Sequence, residues 1–227
     1  MMEFLFLDLD DTILDFQKAE RIAIAKSIRE FGVEPTEAVL ARYHEINKWH
    51  WEQLELGKLT RDQVKQDRFT ALFRELGEPV DAAACAKTYE KNLAIGHYFL
   101  PGAEEALEQL HGKYRLFLAS NGTASVQKGR MTSANLYRFF EQVFVSQEVG
   151  FNKPSLEYFQ ACFSRIPGFC PERAMMVGDS LTSDILGGIR AGIPTVWVNP
   201  QHKSAGDIHP DYEIEALSQL PGLLEHI

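Results

Sequence analysis

The chain has 227 residues, of which 45% are hydrophobic and 24% charged, a composition typical of folded globular proteins rather than disordered ones. Its formal net charge is −9, so its overall field repels the phosphate backbone of nucleic acid. Because the three cysteines have no metal-ligand spacing and no apolar run approaches the ~18 residues of a membrane span, we expect a cytoplasmic protein with neither a nucleic-acid nor a membrane partner.

Short, unbroken apolar runs predict strands that are buried on both faces of a parallel sheet. They cover residues 4–7, 116–119, 143–145, 175–177 and 195–198. A helical pattern precedes each of the last four runs, at about residues 103–111, 124–134, 156–163 and 183–191. This alternation predicts an α/β fold with a doubly wound, mainly parallel, Rossmann-like sheet.

The segment between the first two predicted strands is too long for a simple crossover. Residues 15–98 show almost no strand signal and three or four amphipathic helical patterns. One helix opens at Thr60-Arg61-Asp62-Gln63, the pattern of a capping box. We therefore predict a discontinuous sheet domain, residues 1–14 plus 99–227, and an inserted all-helical domain, residues 15–98, with hinges near residues 14–16 and 98–101.

Polar side chains follow four of the predicted strands, where ligands of open α/β sheets bind. In chain order they are Asp8, Asp10, Ser120, Asn121, Lys153, Asp179 and Asp184. By strand alternation, Asp11 should point away from Asp8 and Asp10.

The carboxylates of this set predict a metal site. Asp8 and Asp10 come directly after a predicted strand and are two residues apart, so both side chains can point into the same site. Asp179 follows a neighbouring strand. Like charges this close are costly without a cation, and Mg²⁺ fits because it takes oxygen ligands and keeps room for water and a phosphate oxygen. Ser120 and Lys153 supply donors and a positive charge for phosphate, so the set predicts phosphoryl transfer.

These motifs and their order resemble the haloacid dehalogenase-like (HAD) hydrolase superfamily along the whole chain: DLDDT from Asp8, a serine ending an apolar strand, a Lys-Pro pair, and GDSLTSD. The resemblance implies that the inserted domain is a helical cap. It implies that Asp8 is a nucleophile that forms an aspartyl-phosphate, and that Asp10 protonates the leaving oxygen and then activates water. Asp8, the backbone oxygen of Asp10, and Asp179 would bind Mg²⁺.

The resemblance also implies the residues that hold phosphate. Ser120, the Asn121 amide and Lys153 would bind the phosphoryl group, with Asp184 orienting Lys153 or a metal-bound water. Relatives that dehalogenate carbon substrates or pump ions lack an aspartate at the Asp10 position. Its presence here therefore favours ester hydrolysis or phosphomutase chemistry.

Candidates for substrate contact lie on the helix predicted over residues 36–56 and just beyond it. Tyr43, Asn47 and Trp51 form an i, i+4, i+8 ridge that could present rings and an amide to a nucleobase, although rings so spaced also pack helices together. With Arg68, they resemble a branch of bacterial house-cleaning 5′-nucleotidases. The resemblance implies a small phosphomonoester substrate, in particular a pyrimidine nucleoside 5′-monophosphate.

Several alternatives stay open. They are a sugar-phosphate phosphatase or phosphomutase of the same fold, a signalling phospho-acceptor, and a catalytically silent binding module. Phospho-acceptor receivers place the acceptor aspartate on a later strand than the acidic pair and lack a long helical insertion, which disfavours that reading. A monomer and a dimer are equally compatible with the sequence.

Overall fold

The computed structural model describes residues 2–227, and Met1, with which the predicted sheet domain begins, lies outside the described residues. Within residues 2–227 the centre is a six-stranded sheet in which every pair of neighbours is parallel, in the order β3–β2–β1–β4–β5–β6. The strands are β1 (Phe4–Leu7), β2 (Arg115–Ser120), β3 (Gln142–Val145), β4 (Ala174–Gly178), β5 (Thr195–Val198) and β6 (Tyr212–Ile214). The predicted α/β class with a parallel sheet is confirmed.

Ten α-helices lie within residues 2–227. They are α1 (Phe16–Glu30), α2 (Glu37–Glu55), α3 (Arg61–Leu76), α4 (Ala82–Leu93), α5 (Ala103–Leu110), α6 (Ala124–Ser133), α7 (Ser146–Val149), α8 (Leu156–Phe163), α9 (Leu186–Ala191) and α10 (Leu220–Leu224). A π-helical turn, Leu181–Ile185, begins the region predicted as one helix over residues 183–191. None of these helices is long and apolar enough to cross a bilayer.

Strand β1 is buried on both faces, because an apolar cluster covers each face of the sheet. Leu5 and Leu7 face a cluster that includes residues of α5 and α10, whereas Phe4 and Phe6 face a second cluster built around α8. Each side chain of this strand is fully buried. An unbroken apolar run is therefore what the position requires.

Helices α1–α4 form a third layer with an apolar cluster largely of its own. The predicted capping box opens α3, where Thr60 and Gln63 bond each other's backbone. The chain enters and leaves this layer side by side: Asp15 N donates to Tyr98 O at 2.8 Å, and Leu100 N donates to Ile13 O at 2.9 Å. We call these two segments, in which the chain passes between the sheet and the helical layer, the chain crossings. The proposed domain boundaries, after residues 14 and 98, lie in them.

Strand β6 was not predicted. It has three residues at the edge of the sheet, and of these only Ile214 is buried. A short edge strand of this kind has no apolar run to mark it.

Candidate active site

The predicted strand-end residues meet at the carboxyl edge of the sheet. Asp8 follows β1, Asp179 follows β4, and Ser120 is the last residue of β2, and these three strands are adjacent in the sheet. They line one cavity of about 680 Å³, whose opposite wall is made by residues of α1–α4. Parallel strands bring their carboxyl ends to one edge, which is why residues 171 positions apart in the chain share this floor.

Lys153 occupies the centre of the floor. Its Nζ atom donates to Asp8 Oδ1, Asp184 Oδ1 and the backbone oxygen of Ala119, each at 2.6 Å, which uses all three ammonium protons. The side chain is buried. Burial lowers the pKa of Lys153, but the charges of Asp184 and Asp8 outweigh burial and raise that pKa above its usual range. Lys153 is therefore a fixed positive charge.

Three carboxylates converge beside it. Oxygen atoms of Asp8, Asp179 and Asp184 all lie within 4.8 Å of one another. Burial, helped by Asp184 and Asp10 and opposed by Lys153, raises the pKa of Asp8 to about 8. Burial and the charges of Asp184 and Asp8 also raise the pKa of Asp179 well above its usual value. An all-oxygen, negatively charged donor set of this kind fits a hard divalent cation.

The Asp10 side chain lies outside that cluster. Its Oδ1 atom forms an ion pair with Arg130 Nη1, and its Oδ2 atom accepts from Gln127 Nε2 at 2.6 Å. Gln127 Nε2 also donates to Ser120 Oγ at 2.8 Å. Sequence reasoning missed Gln127 and Arg130, two buried polar residues of α6. Their spacing of one helical turn, on the face that also carries Val126, is the signal that could have found them.

Asn121 links two of the predicted motifs through its side chain. Its Oδ1 atom accepts from Lys153 N and its Nδ2 atom donates to Lys153 O, both at 2.9 Å. The hydroxyl of Ser120 accepts from Gly122 N at 3.1 Å, which shapes the turn after β2. The predicted role of Asn121 lies in its backbone amide, and its side chain adds a clamp on the Lys153 backbone.

The turn after β4 requires glycine at position 178. A Cβ atom there would lie 2.2 Å from Asp184 Oδ2, well inside contact distance. The same Asp184 oxygen accepts from Ser180 N at 3.1 Å. The close approach therefore lets Asp184 reach Lys153 while it also closes the turn that follows Asp179.

The expectation for Asp11 was wrong in its reasoning. The chain has already left the strand at Asp11, which has a φ of 53°, so strand alternation does not apply. The Asp11 carboxylate accepts from Phe16 N at 2.9 Å, at the start of α1, and it lines the cavity. Burial and the charge of Asp10 raise the pKa of Asp11 to about 6.

The helical layer also carries an arginine, not predicted from the sequence, that contacts the sheet domain beside the cavity. Arg61, the first residue of α3, donates to the backbone oxygens of Asn121 and Gly122 at 2.6 and 3.0 Å. It also donates to Ser146 Oγ at 2.6 Å and to Asn152 Oδ1 at 2.7 Å. One guanidinium thus ties the helical layer to the loop after β2, to the first residue of α7 and to the loop between α7 and α8.

Three of the four predicted substrate-contact residues line the cavity: Asn47, Trp51 and Arg68. Asn47 is held between Glu20 Oε1 and Arg68 Nη1, each at 2.5 Å from its side-chain amide. The buried Nε atom of Arg68 has no hydrogen-bond partner within residues 2–227.

The prediction that Tyr43 contacts the substrate is wrong. Tyr43 is absent from the cavity-lining residues of the described chain, and its fully buried ring packs against Phe69 and Tyr89 inside the helical layer. The shared ridge places Tyr43 on the same side of α2 as Asn47, but at its height the neighbour is another helix rather than the cavity. Its ring therefore packs helices together.

A family model described as haloacid dehalogenase-like hydrolase matches residues 2–192. HAD-hydrolase YfnB of Bacillus subtilis is 40% identical over 221 residues, 97% of this chain and 94% of YfnB. The crystal structure of YfnB bound to magnesium, which reveals interdomain movement, matches 99% of both chains with a TM-score of 0.94.

Two further relatives have names that state a substrate class. Pyrimidine 5′-nucleotidase PynA of Streptococcus pneumoniae is 36% identical over 225 residues, which are 98% of this chain and 95% of PynA. Pyrimidine 5′-nucleotidase YjjG of Escherichia coli is 28% identical over 223 residues, 98% of this chain and 97% of YjjG. Both likenesses run through the helical layer as well as the sheet.

Proposed function

The chain belongs to the haloacid dehalogenase-like hydrolases, and from this premise we propose that it is a Mg²⁺-dependent nucleoside 5′-monophosphate phosphohydrolase that prefers pyrimidine nucleotides. The observation that carries the proposal is the Lys153 ammonium group held between Asp8 and Asp184, beside a third carboxylate, at the floor of a large cavity. This arrangement supports binding of a dianionic phosphoryl group next to a carboxylate nucleophile.

In the first step, a carboxylate oxygen of Asp8 attacks phosphorus and the bond from phosphorus to the leaving oxygen breaks. Asp10 gives its proton to that oxygen, so the nucleoside departs as an alcohol and Asp8 carries an aspartyl-phosphate. The Ser120 hydroxyl and the Asn121 amide donate to the phosphoryl oxygens, and the fixed positive charge of Lys153 stabilises the negative charge on them. Mg²⁺, held by Asp8, the backbone oxygen of Asp10, and Asp179, would neutralise charge on those oxygens and on the carboxylates.

In the second step, Asp10 takes a proton from a water molecule as that water attacks phosphorus. The bond between phosphorus and the Asp8 oxygen breaks, inorganic phosphate leaves, and the Asp8 carboxylate is regenerated. Dividing one displacement into two lets the same pair of aspartates serve both halves of the reaction. Asp184 keeps Lys153 in place throughout.

The size and lining of the cavity support a nucleotide as the substrate. Its volume of about 680 Å³ lies within the ~300–1,000 Å³ typical of small-molecule sites and exceeds what a phosphate alone needs. Asn47, Trp51 and Arg68 stand on the wall opposite the carboxylates, so we assign them to the nucleoside. The names of PynA and YjjG support a pyrimidine base.

The test is phosphate release from a panel of nucleoside monophosphates and sugar phosphates with Mg²⁺, repeated with EDTA. We expect pyrimidine nucleotides to give the highest kcat/KM and EDTA to abolish release. Asp8→Asn should be inactive on every substrate. Full activity of Asp8→Asn would contradict the mechanism, and transfer of phosphate within a sugar phosphate would identify a mutase instead.

A second set of variants tests the assignment of the nucleoside wall. Arg68→Met and Asn47→Leu should lower kcat/KM for pyrimidine nucleotides by about tenfold or more, the effect of losing one or two buried hydrogen bonds. Their kcat/KM for glycerol phosphate, which does not reach that wall, should stay near the wild-type value. Equal losses on both substrates would contradict the assignment.

The setting of the reaction is also part of the proposal. All three cysteines are free thiols, and two of them are buried. Free thiols persist in reducing compartments, so we place the enzyme in the cytoplasm. The partner is then a small molecule of the nucleotide pool.

A further inference from the structure

Arg130 touches the Asp10 carboxylate and both chain crossings between the sheet and the helical layer. Its Nη1 atom pairs with Asp10 Oδ1, and its Nε atom donates to Gly96 O at 2.9 Å, in the crossing that returns from α4. Its guanidinium carbon lies 5.7 Å from the ring centre of Phe16, the residue that starts α1. One buried cation thus connects the proposed acid with the position of the helical layer.

Gln127 completes the hold on Asp10. It lies one helical turn before Arg130, and its Nε2 atom donates to both Asp10 Oδ2 and Ser120 Oγ. Helix α6 packs closely against the end of α4, since a Cβ atom at Gly129 would lie 2.7 Å from the backbone oxygen of Ala94. Both oxygens of Asp10 are therefore held by side chains of one helix that is pressed against the end of α4.

A purely structural ion pair is the competing explanation. Arg130 is completely buried, whereas 28% of the Asp10 side chain is exposed, on the cavity side. The Arg130 Nη2 atom is buried without a hydrogen-bond partner within residues 2–227, which is unfavourable for stability. An ion pair that served stability alone would give Arg130 Nη2 a partner and would bury the Asp10 carboxylate. The geometry therefore points to another role for Arg130, which is to set the direction in which the Asp10 carboxylate faces.

We propose that Arg130, with Gln127, is a positioning residue that aims the Asp10 carboxyl group at the leaving oxygen when the helical layer is seated on the sheet. This proposal rests on the proposed function. The proton still passes from Asp10 to the leaving oxygen as the phosphorus–oxygen bond breaks. Arg130 takes no part in that transfer and touches no substrate atom.

If Arg130 positions the acid Asp10, the loss of activity on substituting Arg130 should depend on the leaving group of the substrate. When uridine 5′-monophosphate reacts, the leaving group is uridine, which departs as an alkoxide unless its 5′ oxygen is protonated, so this cleavage needs Asp10. With sulfur at the 5′ bridging position the nucleoside departs as a thiolate, a much weaker base, and needs no proton. Base, sugar and phosphate are the same in both, so substrate binding is matched.

The experiment compares kcat/KM for the two substrates in wild type, Arg130→Lys and Asp10→Asn. Asp10→Asn should lose about 10²–10⁴-fold on the oxygen substrate, the usual contribution of a general acid, and far less on the sulfur substrate. Arg130→Lys keeps the charge but cannot reach Asp10 and Gly96 together. It should show the same selectivity, with a loss of about 10-fold to 10²-fold on the oxygen substrate and less than about threefold on the sulfur substrate.

Controls separate the possible failures. Lys128→Met, at an exposed position of the same helix, should leave both kcat/KM values unchanged. Equal losses of Arg130→Lys on the two substrates, or no loss, would overturn the positioning role. If Arg130→Lys does not fold, as judged by its thermal denaturation, Gln127→Met gives the decision through the same comparison.

The proposed function fails in a different way from the positioning role. If wild type cleaves neither substrate, or if Asp10→Asn shows no preference for the sulfur analogue, the mechanism is wrong and the role of Arg130 falls with it. If Asp10→Asn prefers the analogue and Arg130→Lys does not, the mechanism stands and the positioning role alone is wrong.

Discussion

The Lys153 Nζ atom lies 2.6 Å from Asp8 Oδ1, and the two side chains are only 2% and 10% exposed. They come from positions 145 residues apart, at the end of β1 and in the loop that precedes α8. Burial raises the pKa of Asp8 to about 8 even with the lysine present, and Lys153 opposes this rise, so without Lys153 the pKa of Asp8 would be higher still. Lys153 therefore serves the proposed nucleophile as well as the phosphoryl group.

Lys153→Met should reduce kcat at saturating Mg²⁺ by about 10²-fold or more, the cost of removing one preorganised positive charge beside the transferring group. It should also destabilise the fold by about 3–5 kcal/mol, because Asp8 and Asp184 lose their buried counter-charge. Phosphate release and urea denaturation measure the two effects. Lys113→Met, at an exposed position, is the matched control, and a Lys153→Met enzyme with normal kcat would contradict the assignment.

The buried acids predict how stability changes with pH when no metal is bound. Burial raises the pKa of Asp8 to about 8, that of Glu55 to about 7 and that of Asp11 to about 6, all above the ~4 of unfolded chains. Between about pH 4 and 8 the folded protein thus binds protons that the unfolded chain has released. The free energy of unfolding must therefore fall as pH rises through this window.

Thermal denaturation in EDTA should show the midpoint falling between pH 6 and pH 8.5. Excess Mg²⁺ should reduce this fall, because a cation beside Asp8 and Asp179 stabilises their charged forms. Asp179→Asn, which removes one of the three carboxylates, should flatten the EDTA curve. Identical pH dependence with EDTA and with Mg²⁺ would show that these carboxylates do not bind the cation.

Much of the fold followed from local patterns, and the limits of those patterns are physical. Phe4-Leu5-Phe6-Leu7 has no polar face, so a central strand could be recognised without any knowledge of its neighbours. The motif residues at strand ends could be placed because parallel strands end at one edge. Tyr43 could not be placed, since helical spacing identifies the face of α2 but not what that face meets.

Arg61 and Arg130 show why the rest of the site was missed. A charged residue in a helix is ordinarily exposed, so a buried arginine has the same local pattern as a solvated one. Arg61 binds mainly backbone and small polar oxygens, which leave no distinctive residue type in the sequence. Contacts of this kind exist only once the helical layer is set against the sheet.

Gly188 allows α9 to pack closely on the sheet. A Cβ atom there would lie 2.6 Å from Thr195 Cγ2 and 3.1 Å from Met176 Cβ. Gly188→Ala should therefore destabilise the protein by about 1–3 kcal/mol, the usual cost of overpacking. Gly222→Ala in α10, where nothing lies within 4 Å, should be neutral or stabilising by up to about 1 kcal/mol. Equal urea midpoints for the two variants would refute the packing role.

The hydrogen bonds of Arg61 should hold the helical layer over the cavity. Arg61→Met removes four hydrogen bonds from a guanidinium to the sheet side, and each bond from a charged donor is worth about 1.5–3 kcal/mol. We expect KM to rise by about tenfold or more, and limited proteolysis to cut more readily within residues 94–102.

Arg42→Met is the matched control for this change. Arg42 pairs with Glu45 and Glu75, both within the helical layer, and exposed pairs of this kind contribute little to stability. Its loss should leave KM and the rate of proteolysis near wild type, because no bond between the layer and the sheet is broken. If Arg61→Met behaves like Arg42→Met, the contacts of Arg61 are incidental, and the chain crossings and the other contacts between the layer and the sheet domain hold the layer in place.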